Sequence, residues 1–587
     1  MWDAVRAGDQ ILVEIVRSYL SAATREMAWA FDRTAYDPVI TEIRDYGLAL
    51  FDRDIRIVAE SVGVPPFSGT LGMGIETGIK AIGRDNLEEG DVFWNNWPYW
   101  NSSQVNDVTI AAPIFYKGEI VGYSGAKAHL IDVGQKDPAY CIDTLDVYQE
   151  GLKLPGVKLI KRGKVDDEIV RIIKFNSRTP ERNMGNVYAQ VSAVQTGVKR
   201  YLTLIEKYGV ETFDYCVDEI IAHGETVARR ALRGLPRGTW RAEDFLDNNV
   251  ISDKPIKMKV RVSITENSFL VDYTGSDEQV EGTVNCPLGI SISAANSTFK
   301  SITTPNEPTN AGHFVPVHVT APEGTIFNPV PPAGVFLIWP GGHAYDLIRK
   351  ALIQAIPERI PTCSTGDCYS LMISGGFSKK YDYKHFYIFA NDHGGGLGAY
   401  RGHDGESVVV HDSLAGGQNT PTEINETFAP VLVQKWALVP DSGGAGTFRG
   451  GLGMVEEVKV LSKSRATTIL LRRKSPPWGF NGGESAEPGK NVFFPGTKKE
   501  MVVSTQATDM DPGEVIRVVS AGGGGLGDPL RRDPESVARD VEFGYVTPAG
   551  ARKHYGVQVG RDFAVDLKAT ARLRATLRRA KGRKRSR

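Results

Sequence analysis

The chain lacks any stretch of about 18 uninterrupted apolar residues, the length a helix needs to cross a bilayer, so its 587 residues read as a soluble protein. Charged residues (Asp3, Arg6, Asp9) precede the first apolar run, and no signal peptide is expected. An excess of one charge sign is also missing: 69 Lys and Arg stand against 70 Asp and Glu. That balance removes the global field that nucleic-acid and membrane-surface binders use. The five cysteines, Cys141, Cys216, Cys286, Cys363 and Cys368, are odd in number and show no repeated C-x-x-C spacing. They argue against a disulfide framework or a structural zinc module and fit a reducing cytoplasm. Glycine is plentiful, yet no G-K-[ST] follows the strings DHGGGLG (392–398), DSGGAGTFRGGLG (441–453) or AGGGGLGDP (521–529). None is a phosphate loop, and tight turns with close strand packing are the expectation there.

What is present reads as an α+β protein of three or four domain-sized units. Apolar residues at Ile11, Ile15, Val16, Leu20, Ala23, Met27 and Phe31 keep a helical period, and strands are expected between Ile43 and Ala59. Helices are expected over 184–208, 210–235, 294–301 and 341–361, and period-two strands begin at Trp240. A proline-rich connector with a short strand at 315–319 divides the middle of the chain. The expected units are 1–236, an N-terminal region of helices and a hairpin; 237–345, a β-rich middle; 346–556, a large glycine-rich β-domain; and 557–587, a basic tail, solvated or a frayed helix.

The stretch from Val92 to Glu150 concentrates the candidate chemistry. Two apolar runs, 108–115 and 119–123, joined by Tyr116-Lys117-Gly118, predict a hairpin. Asp107 enters its first strand, and His129 and Asp132 follow its second. An imidazole and a carboxylate three residues apart, with a second carboxylate across the hairpin, form a partial ligand set for a divalent metal. A hydrogen-bonded loop pair is the alternative. Trp94, Trp97, Tyr99 and Trp100 crowd the same loop and could stack on an aromatic substrate.

The string WNNW…NDV…PIF..GE.VG…..H.IDVG, together with PTEINE, DSGGAGTFRGGLG and GGGGLGDP, resembles the hydantoinase B/oxoprolinase family, and the resemblance spans about Ile11 to Gly556. Arg44, Asp45, Phe51 and Asp52, the NSRTPE string, and Gly275, Ser276, Gln279, Gly282 and Asn285 match family strings too. Their structural alternatives are an ion pair and turn residues. The resemblance implies a catalytic divalent metal, zinc or manganese, on His129 and Asp132, to which the hairpin reading adds Asp107 as ligand or base; without a metal, His129 is the candidate general acid or base, oriented by Asp132 or Asp107. The resemblance further implies ATP bound by a hydantoinase A-type ATPase subunit in a hetero-oligomer. His129-Leu130-Ile131-Asp132 and Asn95-Asn96 resemble the acetone carboxylase branch. Carboxylation of an acetone- or acetophenone-like ketone through a phosphorylated enol, with bicarbonate as co-substrate, is therefore the reading favoured here. Opening of a cyclic amide, as in hydantoinases and oxoprolinases, is the second reading, and a non-catalytic scaffold role the third. Two positions depart from the family: Gln104 stands where a histidine is usual, and Asn186 replaces an aspartate that could cap the following helix.

Overall fold

The computed structural model describes residues 10–61, 63–376 and 386–585, without the side chains beyond 580. An antiparallel seven-stranded sheet organises the N-terminal third. Its strands are β1 (Tyr46–Asp52), β2 (Ile57–Glu60), β3 (Val92–Asn95), β4 (Asp107–Tyr116), β5 (Glu119–His129), β6 (Val157–Lys161) and β7 (Lys164–Val165), in the order β2-β1-β5-β4-β3-β6-β7. The expected hairpin is β4–β5. Its turn is tight because Lys117 and Gly118 both adopt positive φ, +51° and +85°, the geometry that matches strand twist.

β5 runs six residues past the strand expected from sequence. Alternating residues explain it: Ser124 donates to the Val194 carbonyl of the Pro180–Tyr208 helix, whereas Gly125 lies against Ile75 and Leu71 of the Pro65–Ile82 helix. Successive strand residues face opposite sides, so the two helices cover opposite faces of the sheet. A Cβ on Gly125 would come within 2.8 Å of Ile75 Cδ1; small residues let that helix lie close. β4 and β5 are buried along almost their whole length, and each buried aliphatic side chain there contributes about 1.5–3 kcal/mol.

The Gln10–Thr34 helix packs on the Pro180–Tyr208 helix. Asn186 lies within the latter, not at its start, and its Oδ1 accepts the Tyr36 amide at 2.8 Å. The expected capping role is thus replaced by a tie between two segments. Beyond it, the strands Gly238–Leu246, Ile256–Ile264, Phe269–Asp272 and Val317–Thr320 form a second sheet, against which the Gly341–Leu352 helix packs. One hydrophobic core extends from Leu12 to Leu471.

Two further sheets, of four and five strands, make up the glycine-rich region. Its three glycine strings interleave: Gly396 N donates to Ala521 O, Gly451 N to Leu397 O, Gly444 N to Gly523 O and Gly523 N to Gly451 O. A Cβ on Gly450 would lie 1.8 Å from the Gly523 carbonyl oxygen. Backbone packs on backbone there, and no side chain fits. The basic tail folds into the Leu567–Arg585 helix, held where Arg574 donates to the carbonyls of Tyr555 (3.1 Å) and Arg532 (2.6 Å).

Candidate functional site

The β4–β5 register sets two site residues face to face. Asp107 opens β4, His129 closes β5, and they are ladder partners. His129 Nδ1 lies 2.9 Å from Asp107 Oδ1, with the side chains 2 % and 0 % exposed. The Gln104 amide nitrogen approaches the same Nδ1 at 3.0 Å. An amide donor and a carboxylate acceptor call for opposite protonation of that nitrogen, and the closer charged carboxylate decides it. Nδ1 therefore carries the proton and Nε2 the lone pair. That Nε2 is buried without a partner.

Asp45, just before β1, completes the group. Its carbonyl accepts the His129 amide at 3.1 Å, its Oδ2 lies 4.0 Å from His129 Nδ1, and its Oδ1 is buried and unpartnered. Burial pushes the Asp45 carboxyl up to about 8, with His129 opposing and Asp107 and Asp392 adding to the rise. Asp45 thus holds its proton at neutral pH. For His129, burial disfavours the charged form, but the hydrogen bond to Asp107 and the Asp107 charge outweigh it and raise the imidazole above its ordinary value. Asp392 reaches this group from the Tyr387–His393 strand, accepts from Ser370 Oγ, and is itself raised by burial.

Behind the pair, Ser103 Oγ donates to Asp107 Oδ2 and Asn101 Nδ2 to the Asp107 carbonyl. Lys127 lies two residues before His129, on the same face of β5. It is fully buried, and its Nζ donates to Thr70 Oγ1 (2.7 Å) and Asn101 O (2.6 Å). Burial pushes the ammonium down to about 7, opposed by the Asp107 charge. Tyr140 walls the imidazole at 5.7 Å between ring centroids and is backed by Phe336 at 5.2 Å. Gln104, Tyr140, Glu150 and Phe336 also line a cavity of about 20 Å³, room for one water.

The model of the Hydantoinase B/oxoprolinase family matches residues 9–529. The chain belongs to that family. The B-type subunit of a putative D-/L-hydantoinase from Pseudomonas sp. (strain NS671) is 32 % identical, over 96 % of this chain and 98 % of its own length. The beta subunit of caprolactamase from Pseudomonas jessenii is 31 % identical over 97 % and 99 %. Among solved structures, the ATP-dependent caprolactamase from Pseudomonas jessenii superposes with a TM-score of 0.88 at 30 % identity, covering 97 % of this chain and all of that one. Nucleotide-free acetone carboxylase gives 0.87 at 20 % identity, over 98 % and 84 %, a likeness of fold alone.

In this hydantoinase B family member, the expected set of His129, Asp107 and Asp132 divides. Asp132 accepts from Arg178 Nη1 (2.7 Å) and the Gly134 amide (3.1 Å) on Oδ1, and from the Arg178 amide on Oδ2. Both its oxygens are spent on the NSRTPE string, which explains that motif's arginine. Both Asp107 oxygens are likewise engaged, with His129 and Ser103. Among the described residues, no group of three or more His, Cys, Asp or Glu is placed to hold a metal ion. The zinc or manganese implied by resemblance does not fit those three side chains as arranged.

The four loop aromatics scatter. Trp94 is core, its Nε1 bonded to Asn96 at 2.9 Å; Trp97 and Tyr99 pack on each other at 5.4 Å; Trp100 is exposed. Tyr140 supplies the aromatic wall instead. Asp45 pairs with His129, and Arg44 turns to Asp32 at 3.7 Å. Asp52 serves as the turn residue, taking the amides of Asp54 and Arg56. Sequence reasoning missed Lys127, Asp392 and Tyr140. Only Lys127 carried a local signal, a lysine set among the small residues Gly125, Ala126 and Ala128 of β5.

Proposed function

We propose that this chain is the substrate-transforming, B-type subunit of an ATP-dependent enzyme that opens a cyclic amide, with ATP bound by a separate A-type subunit. The observation that carries the reading is a buried His129 whose Nδ1 is held by Asp107 and whose Nε2 has no partner, beside the protonated Asp45 carboxyl, its Oδ2 4.0 Å from that Nδ1 and its Oδ1 unpartnered. Amide hydrolysis needs a base for water and an acid for the departing nitrogen, roles that His129 and Asp45 would fill. Phosphorylation of the amide oxygen by the partner makes the carbonyl carbon electrophilic. Water adds to that carbon as Nε2 takes its proton, the C–N bond breaks with Asp45 protonating nitrogen, and the acyl phosphate that remains is hydrolysed by a second water to the ring-opened acid and inorganic phosphate. Names of relatives at 30 % identity or above, a hydantoinase B-type subunit and the caprolactamase beta subunit, support the same substrate class.

Ketone carboxylation, with bicarbonate and a phosphorylated enol, is the second reading. It is favoured by the sequence His129-Leu130-Ile131-Asp132, while the acetone carboxylase likeness bears on fold alone. The test is the purified chain mixed with its A-type subunit and ATP, presented with hydantoins and lactams in one set and ketones plus bicarbonate in another. Ring-opened acid formed only with ATP is the expected result. Carboxylated product from ketones alone would replace the cyclic-amide reading.

A further inference from the structure

Away from the His129 cluster, a cavity of about 1160 Å³ opens where the glycine-rich strings meet the C-terminal helix. Three arginines line it, each from a different segment: Arg401 from the turn after Tyr400, Arg531 from the Pro529–Arg531 turn, and Arg578 from the Leu567–Arg585 helix. Among the described residues, Arg401 and Arg531 have no carboxylate or hydrogen-bond partner for their side chains, and Arg578 spends one N–H on the Leu530 carbonyl at 3.3 Å. The neighbouring Arg532 shows the contrast: Asp404 and Asp540 take its guanidinium at 2.6–2.8 Å. One acidic residue, Asp528, shares the lining, and its Oδ1 already accepts the Leu530 amide. Phe448 and Phe480 form an apolar wall whose backbones are pinned to the Gly525–Leu526 segment.

Three like charges held around one concavity repel one another, and an anion bound among them removes that cost. The planar fork of arginine matches the oxygens of phosphate two at a time. The concave shape, the aromatic wall and the near-zero charge of the chain as a whole favour a small ligand over an extended polyanion. We infer that this cavity is a binding site for a phosphate-bearing small molecule, with Arg401, Arg531 and Arg578 holding the phosphate oxygens and Phe448 and Phe480 flanking its apolar part. This site is independent of the cyclic-amide reading.

Calorimetric titration of the full chain tests it, with inorganic phosphate, pyrophosphate and ADP at constant ionic strength. Saturable binding is expected, with ADP tighter than pyrophosphate if the aromatic wall contributes, and pyrophosphate tighter than free phosphate. Arg401→Ala and Arg531→Ala should each weaken binding about tenfold at unchanged melting temperature, because neither side chain bonds to the rest of the protein. Arg578→Ala is the poorer probe, since it also loosens the helix. The inference is overturned if no phosphate compound binds, if chloride competes equally at the same ionic strength, or if affinity is unchanged in the Arg401→Ala, Arg531→Ala double variant. It is overturned equally if the cavity proves to be covered by an acidic segment of the A-type subunit.

Discussion

Lys127 is the side chain whose surroundings least suit its charge: fully buried, bonded to a hydroxyl and a carbonyl, and held down to about 7. The unfolded chain keeps this ammonium protonated up to about 10.4. Between those values the unfolded state binds more protons, so this group makes stability rise with pH from about 7 to about 10.4 and costs stability below that window. Lys127→Met should lack that rise. Denaturant melts of both proteins at pH 7, 8.5 and 10 check it, and parallel stability curves would sink the assignment. At Asp107 the expectation concerns rate. Asp107→Asn removes the acceptor that fixes the imidazole tautomer, so turnover should fall at least about a hundredfold. His129 acts as base only when deprotonated, and its value is raised above 6.5 mainly by Asp107 against the opposing burial. The acidic limb of kcat/KM in the native enzyme should therefore lie above 6.5 and move to lower pH in Asp107→Asn. A limb that stays put would show that His129 is not the titrating base.

Elements explain what the sequence could and could not reveal. The β4–β5 hairpin was legible because its turn residues and apolar runs act locally. The last six residues of β5, SGAKAH, have weak strand propensity and are strand because a helix lies on Gly125 and Ala126 is sealed in the core. That misplaced end carried the site with it. Counting three residues from His129 reaches Asp132, but the strand stops at His129 and the chain turns Asp132 toward Arg178. Asp45 and Asp392 come from distant segments, and no spacing rule joins them to His129. The glycine strings were readable as close packing, though not the way the three interleave. Arg449 sits in this region, its Nη1 on the Gly450 carbonyl at 2.7 Å, its Nε 3.4 Å from Asp540 and its guanidinium over Tyr545. Arg449→Ala leaves Asp540 with Arg532 alone and should destabilise the fold by about 3 kcal/mol, without changing turnover per folded molecule. An unchanged melting temperature with lost activity would place Arg449 in a functional site instead.

For the molecule as a whole, the division of labour proposed above has a direct consequence: the isolated chain should not hydrolyse ATP. Its glycine strings are filled by their own backbone contacts and leave no phosphate loop, so ATP turnover by this polypeptide alone would contradict the two-subunit reading. The most direct test of the central claim, that His129 carries the chemistry while the partner handles ATP, measures both reactions at once. In the complex reconstituted with His129→Ala, ring-opened product and ADP are followed in the same samples. The proposed role predicts product formation reduced at least about a hundredfold with ADP release partly retained. A variant that keeps more than a tenth of native product formation would contradict it, and would leave the buried His129–Asp107 pair as a structural hydrogen bond.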